Sequence, residues 1–154
     1  MKRLQIFLTM LISISALFTM TSCSNSTDDS ADLQQTVVQN NVQTGDWRIT
    51  SFIDSGKYET ADFSGYTFSF ESNGTLSSTN GSVNYTGSWS ITNSNSNDDS
   101  PDSDLDFNIL FNLTNQFEDI SEDWQIISQS ATRIELIHIS GGNGGTDYLT
   151  FERT

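Results

Sequence analysis

Residues 66–91 read Tyr66-Thr67-Phe68-Ser69-Phe70-Glu71-Ser72-Asn73-Gly74-Thr75-Leu76-Ser77-Ser78-Thr79-Asn80-Gly81-Ser82-Val83-Asn84-Tyr85-Thr86-Gly87-Ser88-Trp89-Ser90-Ile91. Tyr66, Phe68 and Phe70 alternate with Thr67, Ser69 and Glu71. A period of two puts the three rings on one face of a strand. Asn73-Gly74 follows at once, the dipeptide that best tolerates the positive φ of a two-residue hairpin. Leu76 and Ser78 carry the alternation to Asn80-Gly81, a second turn of the same kind. Val83, Tyr85, Trp89 and Ile91 make a third strand, in which Gly87 is expected to mark a bulge or bend. Strands joined by turns this tight lie antiparallel beside their sequence neighbours.

The same period runs through the rest of the chain from Gly45 onward. Trp47, Ile49, Ser51 and Ile53 share one face of a strand, so Arg48, Thr50, Phe52 and Asp54 are expected on the other. Asn93 to Asp104 is a polar loop holding the only proline, Pro101. Strands are then expected at Leu105–Phe111, Trp124–Ser128, Ile134–Ile139 and around Leu149–Phe151. Phe117 and Ile120 are placed on a short helix, Ala131-Thr132 in a tight turn, and Gly141-Gly142-Asn143-Gly144-Gly145 at a hairpin tip. Leu33, Val37 and Val38 suggest a short helix within Leu33–Gln43. Eight strands in sequence order predict an all-β, eight-stranded antiparallel up-and-down barrel, which leaves no exposed edge. A barrel of that size is filled by side chains or holds one small ligand.

The chain has 154 residues, with six Lys and Arg against 20 Asp and Glu. It carries no basic patch for nucleic acid phosphates, so no nucleic acid partner is expected. One proline and 11% aromatic residues argue against disorder, and the aromatics cluster after Asp46.

The first residues have a different character. Lys2 and Arg3 precede an apolar run from Ile6 to Met20, too short for a membrane span of about 20 residues and shaped like a secretory signal. Met20-Thr21-Ser22-Cys23 resembles the lipobox of bacterial lipoproteins, with Met20 where leucine is usual. The resemblance implies a signal peptide over residues 1–22 and a lipidated Cys23, the only cysteine, carrying acyl chains such as palmitate. A membrane partner is thus expected through the N-terminal lipid, since two or more chains anchor firmly where one does not. Ser24-Asn25-Ser26-Thr27-Asp28-Asp29-Ser30 resembles the acidic export tag of surface lipoproteins in the Bacteroidetes. Asp29-Ser30-Ala31 also matches a short O-glycosylation pattern of that phylum. Residues 23–44 are read as a polar tether with a short helix, and 45–154 as the folded domain.

Gly45-Asp46-Trp47, the Tyr66–Phe70 strand with Asn73-Gly74-Thr75, Tyr85–Ile91, Trp124, Ile134-Glu135-Leu136 and Leu149-Thr150-Phe151-Glu152 follow in order. Together they resemble the lipocalin-like domains of Bacteroidetes lipoproteins over Gly45–Thr154. The resemblance implies a barrel held on the cell envelope, at the outer membrane and its surface, and no particular activity.

Trp47, Tyr66, Phe68, Phe70, Trp89, Phe107 and Trp124 fall on the inward phase. They are the expected ligand-binding set if the barrel holds a small apolar molecule, because such pockets are mostly apolar with few polar groups. Ser51, Ser78 and Ser128 share that phase and could donate hydrogen bonds. The alternative is a non-catalytic surface module that meets a protein or glycan through its loops. No catalytic residue, metal site or cofactor is expected. His138 is the only histidine, and neither a Gly-x-Ser-x-Gly elbow nor a zinc ligand set accompanies it. Asp98, Asp99, Asp102, Asp104 and Asp106 supply hard oxygens but lack the glycine and terminal glutamate of a calcium loop. No carboxylate pair is aimed inward as glycoside hydrolysis requires. The glycine run lacks the lysine and helix of a phosphate loop.

Overall fold

A computed structural model describes residues 28–93, 105–141 and 144–154. The leader, Cys23, the residues Asp98, Asp99, Asp102 and Asp104 of the acidic loop, and Gly142-Asn143 lie outside the described residues. The elements run α1 (Asp28–Val42), β1 (Trp47–Asp54), β2 (Lys57–Tyr58), a 3-10 turn (Thr60–Phe63), β3 (Thr67–Phe70), β4 (Thr75–Thr79), β5 (Asn84–Asn93), β6 (Leu105–Leu110), β7 (Asp123–Gln129), β8 (Arg133–Ile139) and β9 (Thr146–Arg153). Strands β3 to β9 pair in sequence order, and β1 pairs with both β9 and β3. The result is the expected closed, eight-stranded, antiparallel barrel, with β2 as a short flap on the end of β1.

The chain reverses at both Asn-Gly pairs, but neither pair is itself a two-residue loop: Ser72-Asn73-Gly74 lie between the bonded Glu71 and Thr75, and Gly81-Ser82 between Asn80 and Val83. Gly74 and Gly81 take φ of 82° and 84°, a region that costs L side chains strain. The asparagine side chains close the turns: Asn73 Oδ1 accepts the Thr75 N–H at 2.9 Å, and Asn80 Oδ1 accepts the Val83 N–H at 2.9 Å. A third hairpin joins β1 to β2 at Ser55-Gly56, with φ of 48° and 88°. Asp147 Oδ1 accepts the Ser55 N–H at 2.7 Å and holds this hairpin against β9.

Two register shifts reverse the expected facing of side chains. One lies between Ile49 and Ser51 against β9, the other between Ile126 and Ser128 against β8. A bulge adds one residue to one strand, so every later side chain changes face. Phe52, expected outside, is therefore fully buried, and Ile53 turns outward. Ser128 is exposed, Ser51 is half-buried, and only Ser78 of the three candidate serines is buried.

Gly87 is not at a bulge, because the β4–β5 pairing runs through it without a shift. Close approach explains the glycine: a Cβ there would stand 2.3 Å from the Leu110 carbonyl oxygen and 2.9 Å from Phe111 Cδ1. Nor do Phe117 and Ile120 sit on a helix; 111–122 is a series of turns. The Asn115 side chain accepts the Phe117 N–H at 3.1 Å, a local bond that competes with helix. Ser121 Oγ then accepts the Phe111 N–H at 2.9 Å and donates to the Phe117 carbonyl at 2.6 Å.

Helix α1 is longer than expected and belongs to the folded body. Val38 and Val42 are buried, whereas Leu33 and Val37 face solvent. Gln35 Nε2 donates to the Ile91 carbonyl at 2.7 Å, and Asn41 Nδ2 to Gln129 Oε1 at 2.8 Å. The helix thus covers the end at which β1 begins. The 3-10 turn and 111–122 cover the opposite end with Phe63, Phe117 and Ile120, all buried.

Replacing Gly87 by Ala should cost about 1–3 kcal/mol, the usual range for overpacking a tight site. A lower urea midpoint at unchanged slope would report it; an unchanged midpoint would refute the close approach.

Candidate functional site

The seven aromatic residues expected to line a ligand site do converge inside the barrel. Trp47 comes from β1, Phe68 and Phe70 from β3, Trp89 from β5, Phe107 from β6 and Trp124 from β7, while Tyr66 precedes β3. All seven are buried. Phe70 is the hub of the half nearest α1, with ring centroids 5.4 Å from Trp89, 5.5 Å from Phe107 and 5.7 Å from Phe151, each edge to face. Such pairs add about 0.5–1.5 kcal/mol each beyond area burial.

Phe117 is the hub of the other half, and the alternation could not find it because it comes from a connection. Its ring lies 4.7 Å from Tyr85, 4.8 Å from Phe111, 5.2 Å from Tyr66 and 5.5 Å from Phe63. Phe52, brought inside by the bulge in β1, stands edge to face with Phe63 at 5.6 Å and with Trp124 at 6.5 Å.

The interior is occupied by its own side chains. Trp47, Phe68, Phe107, Phe117 and Trp124 have 0% of their surface exposed. Rings bordering a void large enough for a water molecule would not be fully covered. The indole N–H groups are also satisfied from within: Trp47 donates to the Val42 carbonyl at 2.8 Å, Trp89 to Glu71 at 2.9 Å and Trp124 to Ile120 at 3.1 Å. Burial is the main cause that pushes the Tyr66 hydroxyl above its ordinary pKa, with Tyr85 adding to it. Ser78 Oγ is buried without a partner.

Grooves of about 640, 600 and 500 Å³ open instead on the outside of the molecule. The largest runs past Ser88, Ser90, Asn108 and Leu110 to Glu122 and Asp123. The smallest follows the seam between β1 and β3, past Arg48, Thr50, Thr60 and Thr67, with Ile49, Phe63 and Tyr66 at its floor; Trp89 and Phe70 likewise border the other two. That seam has a single register pair, Trp47 with Phe68.

His138 Nδ1 lies 3.1 Å from the Asp123 carbonyl, its Nε2 3.7 Å from Glu122 Oε2, and its ring 6.0 Å from that of Trp124. Among the described residues, no group of three or more His, Cys, Asp or Glu converges on a metal position. Two carboxyls are pushed above the usual range. Asp106 is raised by partial burial and then by Asp123; Asp119 by burial and then by Glu59, Asp54 and Glu118. Glu135 is held below it by the Ser128 hydroxyl and Arg133.

No family model and no curated protein matches the sequence. Among solved structures, the chain is similar to a DUF4847 family protein from Bacteroides vulgatus ATCC 8482, crystallised at 1.00 Å resolution. The identity is 14% and the TM-score 0.48, over 76% of this chain and 97% of that one.

A carboxyl raised on folding costs stability while it is charged, and the cost fades as pH falls through its folded pKa. Asp106→Asn should therefore raise the urea midpoint near about pH 7, and the gain should shrink toward about pH 3. An equal gain at both values would show that charge is not the cause.

Proposed function

We propose that this protein is a lipid-anchored envelope protein whose filled barrel is a scaffold, working without catalysis by contacts on its outer surface and loops. One observation carries this choice over a small-molecule carrier: the rings expected to line a ligand site occupy the space a ligand would need. A carrier of a drug-sized molecule needs a pocket of roughly 300–1,000 Å³ that encloses most of its ligand. The volumes of that order found here are open grooves.

The anchor is supported by Lys2 and Arg3, the Ile6–Met20 run and Cys23 behind Ser22. Only Ser24–Thr27 separate Cys23 from α1. Five residue steps reach at most about 18 Å. A lipid on Cys23 would thus keep the α1 end of the barrel beside the membrane and present the other end outward.

Protein purified from its own host should give a native mass equal to the acylated chain with no retained small molecule. A stoichiometric apolar ligand in that spectrum would restore the carrier reading. Cys23→Ala should remove the acyl mass and release the protein from membranes; continued retention would refute the anchor.

A further inference from the structure

Helix α1 has a second face that the barrel does not use. The helix lies across the end at which β1 begins, tied to β5 where Gln35 donates to the Ile91 carbonyl and to β7 where Asn41 donates to Gln129. Val38 and Val42 are buried against the barrel. Leu33, Thr36, Val37 and Asn40, with Thr44 just past the helix end, are spaced three and four apart and form a stripe on the opposite side. All five are exposed, Leu33 at 68% and Val37 at 51%. At about 1.5 Å per residue the stripe is about 16 Å long.

The stripe is less polar than its residue types suggest. Thr36 Oγ1 donates to the Asp32 carbonyl at 2.8 Å, and Thr44 Oγ1 to the Asn40 carbonyl at 2.7 Å. Both hydroxyls are thus satisfied by the helix's own backbone and need no water. The stripe also carries no charge, in a chain with 20 Asp and Glu. The exposed Asp32 lies on its flank.

What covers it follows from where the chain before the helix leads. Cys23 lies five residue steps before Asp28, a reach of about 18 Å at most. Leu33 is about 7.5 Å of helix further on. A lipid on Cys23 would therefore hold this stripe at the bilayer surface. An uncharged stripe can enter the headgroup boundary without desolvating a carboxylate. A second copy fits it badly: a strip one helix wide and about 16 Å long covers roughly 200 Å², against about 800 Å² per partner in a stable dimer. A bilayer needs no such area, because the acyl chains supply the affinity and the stripe only sets the orientation.

We propose that the outward face of α1, residues 33–44, docks on the lipid bilayer, with Leu33 and Val37 in the headgroup boundary and the barrel standing on its α1 end. This docking rests on the reading of Cys23 as the lipid anchor.

The test uses the full lipidated chain in phosphatidylcholine nanodiscs. Asn40→Cys carries an environment-sensitive NBD label, and lipids with a nitroxide near the headgroup act as quenchers. Ser64→Cys, exposed after the 3-10 turn at the opposite end, carries the same label as a control. The label at 40 should emit at shorter wavelength and be quenched about threefold or more beyond the label at 64, as for a group within about 5–10 Å of the boundary. Leu33→Ser/Val37→Ser should keep the acyl mass and membrane retention, yet cut the quenching at 40 by about half or more. Equal quenching at 40 and 64, or no change in the double variant, overturns the docking while the acyl mass upholds the anchor. Concentration-dependent shielding of the label at 40 in the lipid-free Cys23→Ala chain makes a second copy the occupant and overturns the choice of bilayer. Absence of acyl mass on Cys23 overturns the anchor reading, and the docking with it.

Discussion

Closure of the barrel converges on Trp47. Its backbone pairs with Arg153 of the last strand on one side and with Phe68 of β3 on the other. Its indole N–H is taken by the Val42 carbonyl at the end of the helix, and the Arg153 guanidinium lies over its ring at 5.0 Å. That guanidinium also donates to the Asn41 carbonyl. The first strand, the last strand and the helix are thus tied at one fully buried side chain. Because the β1–β3 seam has no other register pair, the aromatic core and the capping segments carry what the backbone ladder does not.

That arrangement explains why the barrel is full. Where the ladder is thin, rings from outside the strands reach in: Phe63 from the 3-10 turn and Phe117 from the 111–122 connection. Both pack against Phe68, the very residue that β3 contributes to the seam. A cavity placed there would remove the contacts that hold the seam together. Filling and closure are one requirement.

Much of this was legible in the sequence because strands announce themselves by period and turns by residue type. The Tyr66–Ile91 stretch yields two hairpins, and all seven candidate rings do face inward. What escaped has a common physical cause. A bulge answers the curvature of a closing sheet, which local sequence does not state, so alternation alone puts Phe52 outside and Ser128 inside, the reverse of the fold. Strand β2 has two residues, too few to show a period. Phe117 stands in a polar stretch whose pattern says nothing of what it plugs. Alternation tells on which side of a sheet a side chain lies. It does not tell whether the side chains there leave room between them.

The pairing of β1 with β9 has a consequence for the order of events in the life of the chain. Trp47 and Arg153 stand at opposite ends of the folded domain's sequence, and their strands form the closing contact. Contacts so distant along the chain are slow to form, because the intervening loop must first be brought together at an entropic cost. Until Arg153 has left the ribosome, the strand that completes the barrel does not exist. An unfinished chain therefore lacks the one pairing that turns its row of hairpins into a closed wall.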